Sequence, residues 1–332
     1  MSELAPILST GVGSWPGTDM ADAIKIALAE CPELSYLPEL PARGAHAQLV
    51  GRSTALLTGL AVDLQPAGWR LTDGSGREHR LARSTLRTDL DLLEEHAQGY
   101  RGRLKLSAAG PWTLAALMER PRGDRVLADS GARRDLAQSL TEGVLELVGD
   151  LIRRLPEVDF VLQLDEPLLP AVLAGTVPTA SGFSRHRVVD RPEVGGTFAA
   201  VVARLTPLEV PLWVHSCAPE VPIPLLQDAG VALVSLDLDL ATTRTWDQIG
   251  SGLSRGLWLG AGVLPTNRLL SADEVAHRVL GPLRRLGLDP AVAGQVVLSP
   301  TCGLAGATRD QAVQSLRVLR TAAAIVTEQL AE

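Results

Sequence analysis

The 332-residue sequence predicts one closed (β/α)8 barrel of the TIM type, spanning residues 1–332. Three observations predict it. Short β-type runs recur eight times, each ending in Gly, Pro or a polar residue. Segments of helical periodicity separate them, and strands alternating with helices pair in parallel. Polar, ligand-type residues gather at the ends of the runs, where barrels of this type carry their chemistry. The alternative is a doubly wound open sheet, but no GxGxxG turn follows the first run.

The first two runs are ILSTGVGSWP (7–16) and SYLPELP (35–41). Next comes WRLTDGSGREHRL (69–81), where Asp73-Gly74-Ser75-Gly76 is a turn signal. It predicts a β-hairpin inserted after the second barrel strand. LKLSAAGP (104–111) and DFVLQLDEP (159–167) follow, with a helix expected over 133–155 from the spacing of Leu136, Leu140, Val144, Leu147 and Leu151. Residues 182–196 read as a long loop. PLWVHSC (211–217), ALVSLDLD (232–239), GLWLGAGVLP (256–265) and VVLSPTCG (296–303) complete the eight. A serine cap, acids in the first turn and a closing glycine mark a helix over 271–287, and 307–330 supplies the last one.

Composition narrows the function classes. A net charge of −7 and a pI near 5.5 argue against a binder of nucleic-acid phosphates. No apolar run reaches the ~18 residues that span a bilayer, and MSELAPILSTGVGSW lacks the pattern of a leader. Three cysteines form no disulfide framework and suit a reducing, cytoplasmic setting. Of 31 basic residues only Lys25 and Lys105 are lysines, leaving few candidates for Schiff-base chemistry.

The run ends carry Ser14, Glu39, Gly110, Asp165-Glu166, His215 with Cys217, Asp237 with Asp239, Thr266-Asn267, and Cys302. His215 and Cys217 leave the same face of a strand, two residues apart. Thiolate and imidazole are preferred ligands of zinc, with carboxylate an acceptable oxygen donor. Each feature also has a plainer reading. HxC can be two small buried residues, Asp237 and Asp239 can pair with arginine, and DEP can cap a helix. His46, His79, His96, His186 and His277 read as mostly surface residues. Joint occurrence at three run ends favours a metal.

Four motifs in order resemble the cobalamin-independent methionine synthase family, in its C-terminal catalytic barrel. VGSWPGT (12–18) is similar to the family's IGSFPQT, LQLDEPLL (162–169) to IQIDEPAL, HSC (215–217) to HMC, and SPTCGL (299–304) to NPDCGL. The resemblance runs from Gly11 to the C-terminus and reads as a short, core-type member without the family's N-terminal barrel. It implies a zinc-dependent transfer of a methyl group to homocysteine, giving methionine, with methyl-tetrahydrofolate as donor. His215, Cys217 and Cys302 match three zinc ligands. Asp237, in LVSLDL, stands where the family has a glutamate in VITIET; Asp239 is the alternative.

The same resemblance gives Ser14 to the substrate's carboxylate and Asp165 and Glu39 to its amino group. Glu166 shares the DEP motif, and Gly110-Pro111-Trp112-Thr113 resembles GPVT beside the folate pocket. Where the family's GPGVYDIH ends in a proton-transferring histidine, GAGVLPTN places Asn267, which cannot shuttle protons at neutral pH. This opens two alternatives: a methylcorrinoid or other donor with a corrinoid carrier as partner, or a non-catalytic ligand-binding paralogue. A uroporphyrinogen-type decarboxylase shares the barrel superfamily, but the HxC and TCG motifs argue against it.

Overall fold

The computed structural model describes residues 6–332. Residues 1–5, where the segment read as leaderless begins, lie outside the described residues. Among the described residues ten strands occur: β1 (Leu8–Ser9), β2 (Leu34–Tyr36), β3 (Ala61–Gln65), β4 (Gly68–Thr72), β5 (Arg103–Ala109), β6 (Asp159–Asp165), β7 (Leu212–Ser216), β8 (Leu233–Asp237), β9 (Trp258–Leu264) and β10 (Val296–Pro300). Eight of them form one parallel sheet in the order β1-β10-β9-β8-β7-β6-β5-β2, with helices between them in the chain. This is the expected TIM-type barrel. Between β1 and β2 an isolated bridge joins Ser14 to Glu39, in place of a ladder. Trp15 N–H donates to the Glu39 carbonyl at 2.8 Å, and Glu39 N–H to the Gly13 carbonyl at 3.1 Å. The two residues expected at the substrate therefore also close the ring.

The period of two along each strand sorts side chains between two environments. Leu104, Leu106, Leu162, Leu164, Val214, Val234 and Leu236 pack outward into the large core shared with the helices. Residues of the other parity build the interior, which is graded along the axis. Leu34, Val161, Trp213, Leu233 and Val297 form an apolar layer near the strand starts. Lys105 and Gln163 lie above it, hydrogen-bonded to each other, followed by Asp165 and His215 at paired positions of β6 and β7.

The helices follow their sequence signals. Ser271 caps Ala272–Leu286 in a capping box with Glu274, and Gly287 ends it in the left-handed region at φ 63°. Ser130–Arg154 and Arg309–Ala331 match the other two expected helices.

Three expectations are corrected. The hairpin exists after β2, but it is β3–β4, pairing Ala61 with Thr72 through Gln65 with Gly68 around Pro66-Ala67. Asp73-Gly74-Ser75-Gly76 instead leads into the helix Arg77–His96, with Gly76 as its N-cap. A type I′ turn there would need positive φ at Gly74 and Ser75, and neither adopts it. Gly76 is required for a different reason: its N–H donates to the Val62 carbonyl at 2.8 Å, and a Cβ there would collide with Asp63. The expected loop 182–196 ends early, because the helix Arg191–Leu205 begins after Asp190 with Pro192 in its first turn.

Two histidines read as surface residues are buried. His79 accepts from Val62 N–H at Nδ1 (3.3 Å) and places Nε2 3.0 Å from the Thr54 carbonyl, pinning the hairpin to the barrel wall. His186 is buried beside Asp124, at 3.4 Å.

Candidate metal and substrate site

At the C-terminal ends of the strands lies a cavity of about 220 Å³. Ser14, Glu39, Asp165, His215, Cys217 and Cys302 line it, with Val12, Pro41, Ala47 and Leu49 as apolar wall. Six of the eight residues singled out as substrate or metal ligands thus meet in one place. The exceptions are Glu166 and Asp237.

His215 ends the visible part of the barrel interior on β7, and Cys217 follows just beyond the strand. Cys302 lies past β10, two positions after Pro300. One ligand atom from each of His215, Cys217 and Cys302 lies within 4.8 Å of the other two, so the group could hold a metal ion. The sulfurs are 3.4 Å apart. A tetrahedral site with metal–sulfur bonds of ~2.3 Å spaces its sulfurs by roughly 3.8 Å, so the pair needs little adjustment. His215 Nδ1 lies 3.0 Å from Ser235 Oγ. Its Nε2 is buried with no hydrogen-bond partner. Outer hydrogen bonding at one ring nitrogen with a free lone pair on the other is how metal-binding histidines are held. A buried imidazole nitrogen without a partner is otherwise costly. The donor set therefore fits a soft divalent ion. The contact between the two sulfurs draws Cys302 down to about 4, and the same contact, with burial, pushes Cys217 up.

Asp237 stands at the end of β8 but outside this trio. Its Oδ1 accepts from Asp239 N–H at 2.9 Å, and burial raises its carboxyl. Asp239 pairs with Arg278, as the plain reading of that strand expected.

Glu39, just past β2, and Asp165, at the end of β6, both line the cavity and are buried. Burial raises the Glu39 carboxyl, opposed by the Arg52 guanidinium 3.2 Å away and by Lys105. Burial and the charge of Glu39 push Asp165 well above the usual carboxylate range, opposed by Lys105 and by a hydrogen bond from Gln163. Ser14 lies against Gly303, where a Cβ would collide with the serine hydroxyl. A glycine after Cys302 thus lets the metal trio and the β1 exit share one wall.

Glu166 does not line the cavity. Its carboxylate accepts from Trp112 N–H (3.0 Å), Thr113 N–H (2.8 Å) and Thr113 Oγ (2.7 Å), tying β6 to the helix Pro111–Leu117. Burial lifts its carboxyl to about 7 against those three donors. Gly110, in GPWT, is where this contact is closest: a Cβ would strike the Glu166 side chain. Asn267 lies exposed beyond β9 and is not part of the cavity wall.

Arg52, Lys105, Gln163 and Ser235 support the site from behind, and the sequence alone did not single out their roles. Lys105 carried the one available signal, a lysine inside the apolar run LKLSAA of a chain that almost always uses arginine.

Fold and site define an α/β barrel of the TIM type with a His-Cys-Cys group that could bind a metal beside two buried carboxylates. No protein-family model matches the chain, and no curated protein sequence matches it. Among solved structures it is similar to a B12-independent methionine synthase from Shewanella sp. W3-18-1 in complex with selenomethionine. That likeness has 16% identity over 98% of this chain and 99% of the other, with a TM-score of 0.63. It is also similar to the beta-galactosidase from the psychrophilic Marinomonas ef1, at 13% identity over 98% of this chain and 60% of the other, TM-score 0.50. At these identities both are likenesses of fold. Among the described residues no helix is long and apolar enough to cross a membrane.

Proposed function

We propose that the chain is a zinc-dependent methyltransferase that passes a methyl group to the thiol of homocysteine, giving methionine. The observation that carries this reading is the convergence of His215, Cys217 and Cys302 with Ser14, Glu39 and Asp165 around one small cavity. Two thiolates and an imidazole suit zinc, which when bound would lower a thiol's pKa from about 8.5 and favour the nucleophilic thiolate. Asp237 is the acidic fourth ligand this reading nominates, since Asp239 is engaged with Arg278.

The chain's own residues would do the rest. Ser235 holds the His215 ring through Nδ1, leaving Nε2 free to ligate. Glu39 and Asp165 receive the ammonium group of the amino acid, and Ser14 its carboxylate. The apolar wall of Val12, Pro41, Ala47 and Leu49 excludes water around the carbon chain. A selenomethionine complex of the similar methionine synthase structure is consistent with an amino acid of this size in such a barrel.

The methyl donor has two candidates. Methyl-tetrahydrofolate follows from the family resemblance. A methylcorrinoid, free or on a carrier, is favoured by one observation: Asn267 is exposed beyond β9, so that strand brings no proton-transferring side chain to the cavity.

Metal analysis of the purified protein, with homocysteine titration, tests the reading. One tightly held zinc per chain is expected, lost in Cys217→Ser and Cys302→Ser. Absence of zinc, or a zinc site indifferent to homocysteine, would sink it. Offering methylcobalamin and methyl-tetrahydrofolate side by side then separates the donors. Homocysteine binding without turnover on either would identify a non-catalytic paralogue.

A further inference from the structure

Lys105 is 1% exposed in the middle of β5, at a depth where most of the interior is apolar. A buried cation costs several kcal/mol unless its protons are matched. Here they are matched completely. Nζ donates to the Gly11 carbonyl at 2.7 Å, the Val12 carbonyl at 2.9 Å and Gln163 Oε1 at 2.6 Å. An ammonium has three protons, so none remains for a ligand. Gln163 is oriented by this contact: with Oε1 on the ammonium, its Nε2 donates to the Val12 carbonyl at 3.0 Å and to Asp165 Oδ1 at 2.7 Å. No other hydrogen bond reaches the Asp165 carboxylate among the described residues.

The choice of lysine has a geometric basis. The chain leaves β1 after Ser9, so the Gly11 and Val12 carbonyls lack a partner in the sheet and turn to Lys105 instead. Three acceptors converging on one point suit a compact ammonium, whereas guanidinium is a planar fork. That explains a lysine at this position in a chain where 29 of 31 basic residues are arginine.

We propose that Lys105 is a positioning residue for the amino end of the substrate. Through Gln163 it engages one oxygen of Asp165 and leaves the other for the substrate ammonium. The inference rests on the amino-acid reading of the cavity given above.

The test is a binding comparison on zinc-loaded wild type, Lys105→Met and Gln163→Leu. Each is titrated calorimetrically with homocysteine and with the same thiol acid lacking its amino group. The expected result is a rise in the homocysteine Kd of at least about tenfold, the worth of a charge-assisted hydrogen bond, in both variants. Zinc content and binding of the amino-free thiol stay at wild-type values. A merely structural role would move both thiols together, and that outcome, or unfolding of both variants, overturns the proposal. Wild type preferring homocysteine, beside variants with the same preference, overturns the role of Lys105 alone. Wild type that does not distinguish the two thiols overturns the amino-acid reading of the cavity and this inference with it.

Discussion

At the N-terminal ends of the strands, Trp213 and Trp258 help line a bowl of about 600 Å³ over an apolar layer of Leu34, Val161, Leu233 and Val297. At the C-terminal ends the cavity is about 220 Å³, and its wall carries a serine, two carboxylates, an imidazole and two thiols. The same eight strands build both. The larger hollow is lined by apolar residues with Arg103, Asp159 and Glu209, and among the described residues no cluster of three metal-ligand side chains lies there. The smaller one gathers the His215-Cys217-Cys302 group beside Glu39 and Asp165. Volume alone therefore does not mark the candidate site; the convergence of donor side chains does. The interior column from Val161 to Gln163 to Asp165 shows how one strand makes the change: each step of two residues moves from apolar to polar to charged.

Substitutions at the two ends should separate cleanly. The largest effect is expected for Cys302→Ser or Cys217→Ser, which removes a ligand of the proposed metal site; mass spectrometry under native conditions should find the metal gone. Ser235→Ala leaves the ligands but frees the His215 ring, and metal affinity should drop by about 10–100-fold in a chelator competition. Equal affinity for that variant would mean that Ser235 does not orient the histidine.

Gly303→Ala comes next. Its Cβ would displace the Ser14 hydroxyl, so KM for the amino acid should rise while zinc content holds. An unchanged KM would remove Ser14 from the substrate contacts. Glu166→Gln puts an amide nitrogen against the Trp112 and Thr113 donors, which costs roughly 1–3 kcal/mol of stability by denaturant unfolding. The smallest effect on chemistry belongs to the bowl: Trp213→Leu should lower stability by about 1–3 kcal/mol and leave metal and thiol binding intact.

Much of this division was legible in the sequence. The eight runs overlay the eight barrel strands because strand length, polar ends and alternation are local properties. His215, Cys217 and Cys302 could be placed together because a barrel brings all strand exits to one end. Residues whose roles depend on a partner far along the chain were not legible. Lys105 is held by carbonyls 94 and 93 positions away, and His79 by Val62 and Thr54, which periodicity does not report. The hairpin after β2 was legible, but its turn was placed a few residues late for a related reason. Its actual turn, Pro66-Ala67, is a weaker signal than DGSG, whose glycine serves close packing against Asp63.

Zinc K-edge absorption spectroscopy of the wild-type protein, before and after homocysteine, tests the central claim most directly. The account predicts zinc in a mixed sulfur and nitrogen shell that gains one sulfur when the amino-acid thiol is added. A protein that takes up no zinc, or whose zinc shell is unchanged by homocysteine, would contradict it.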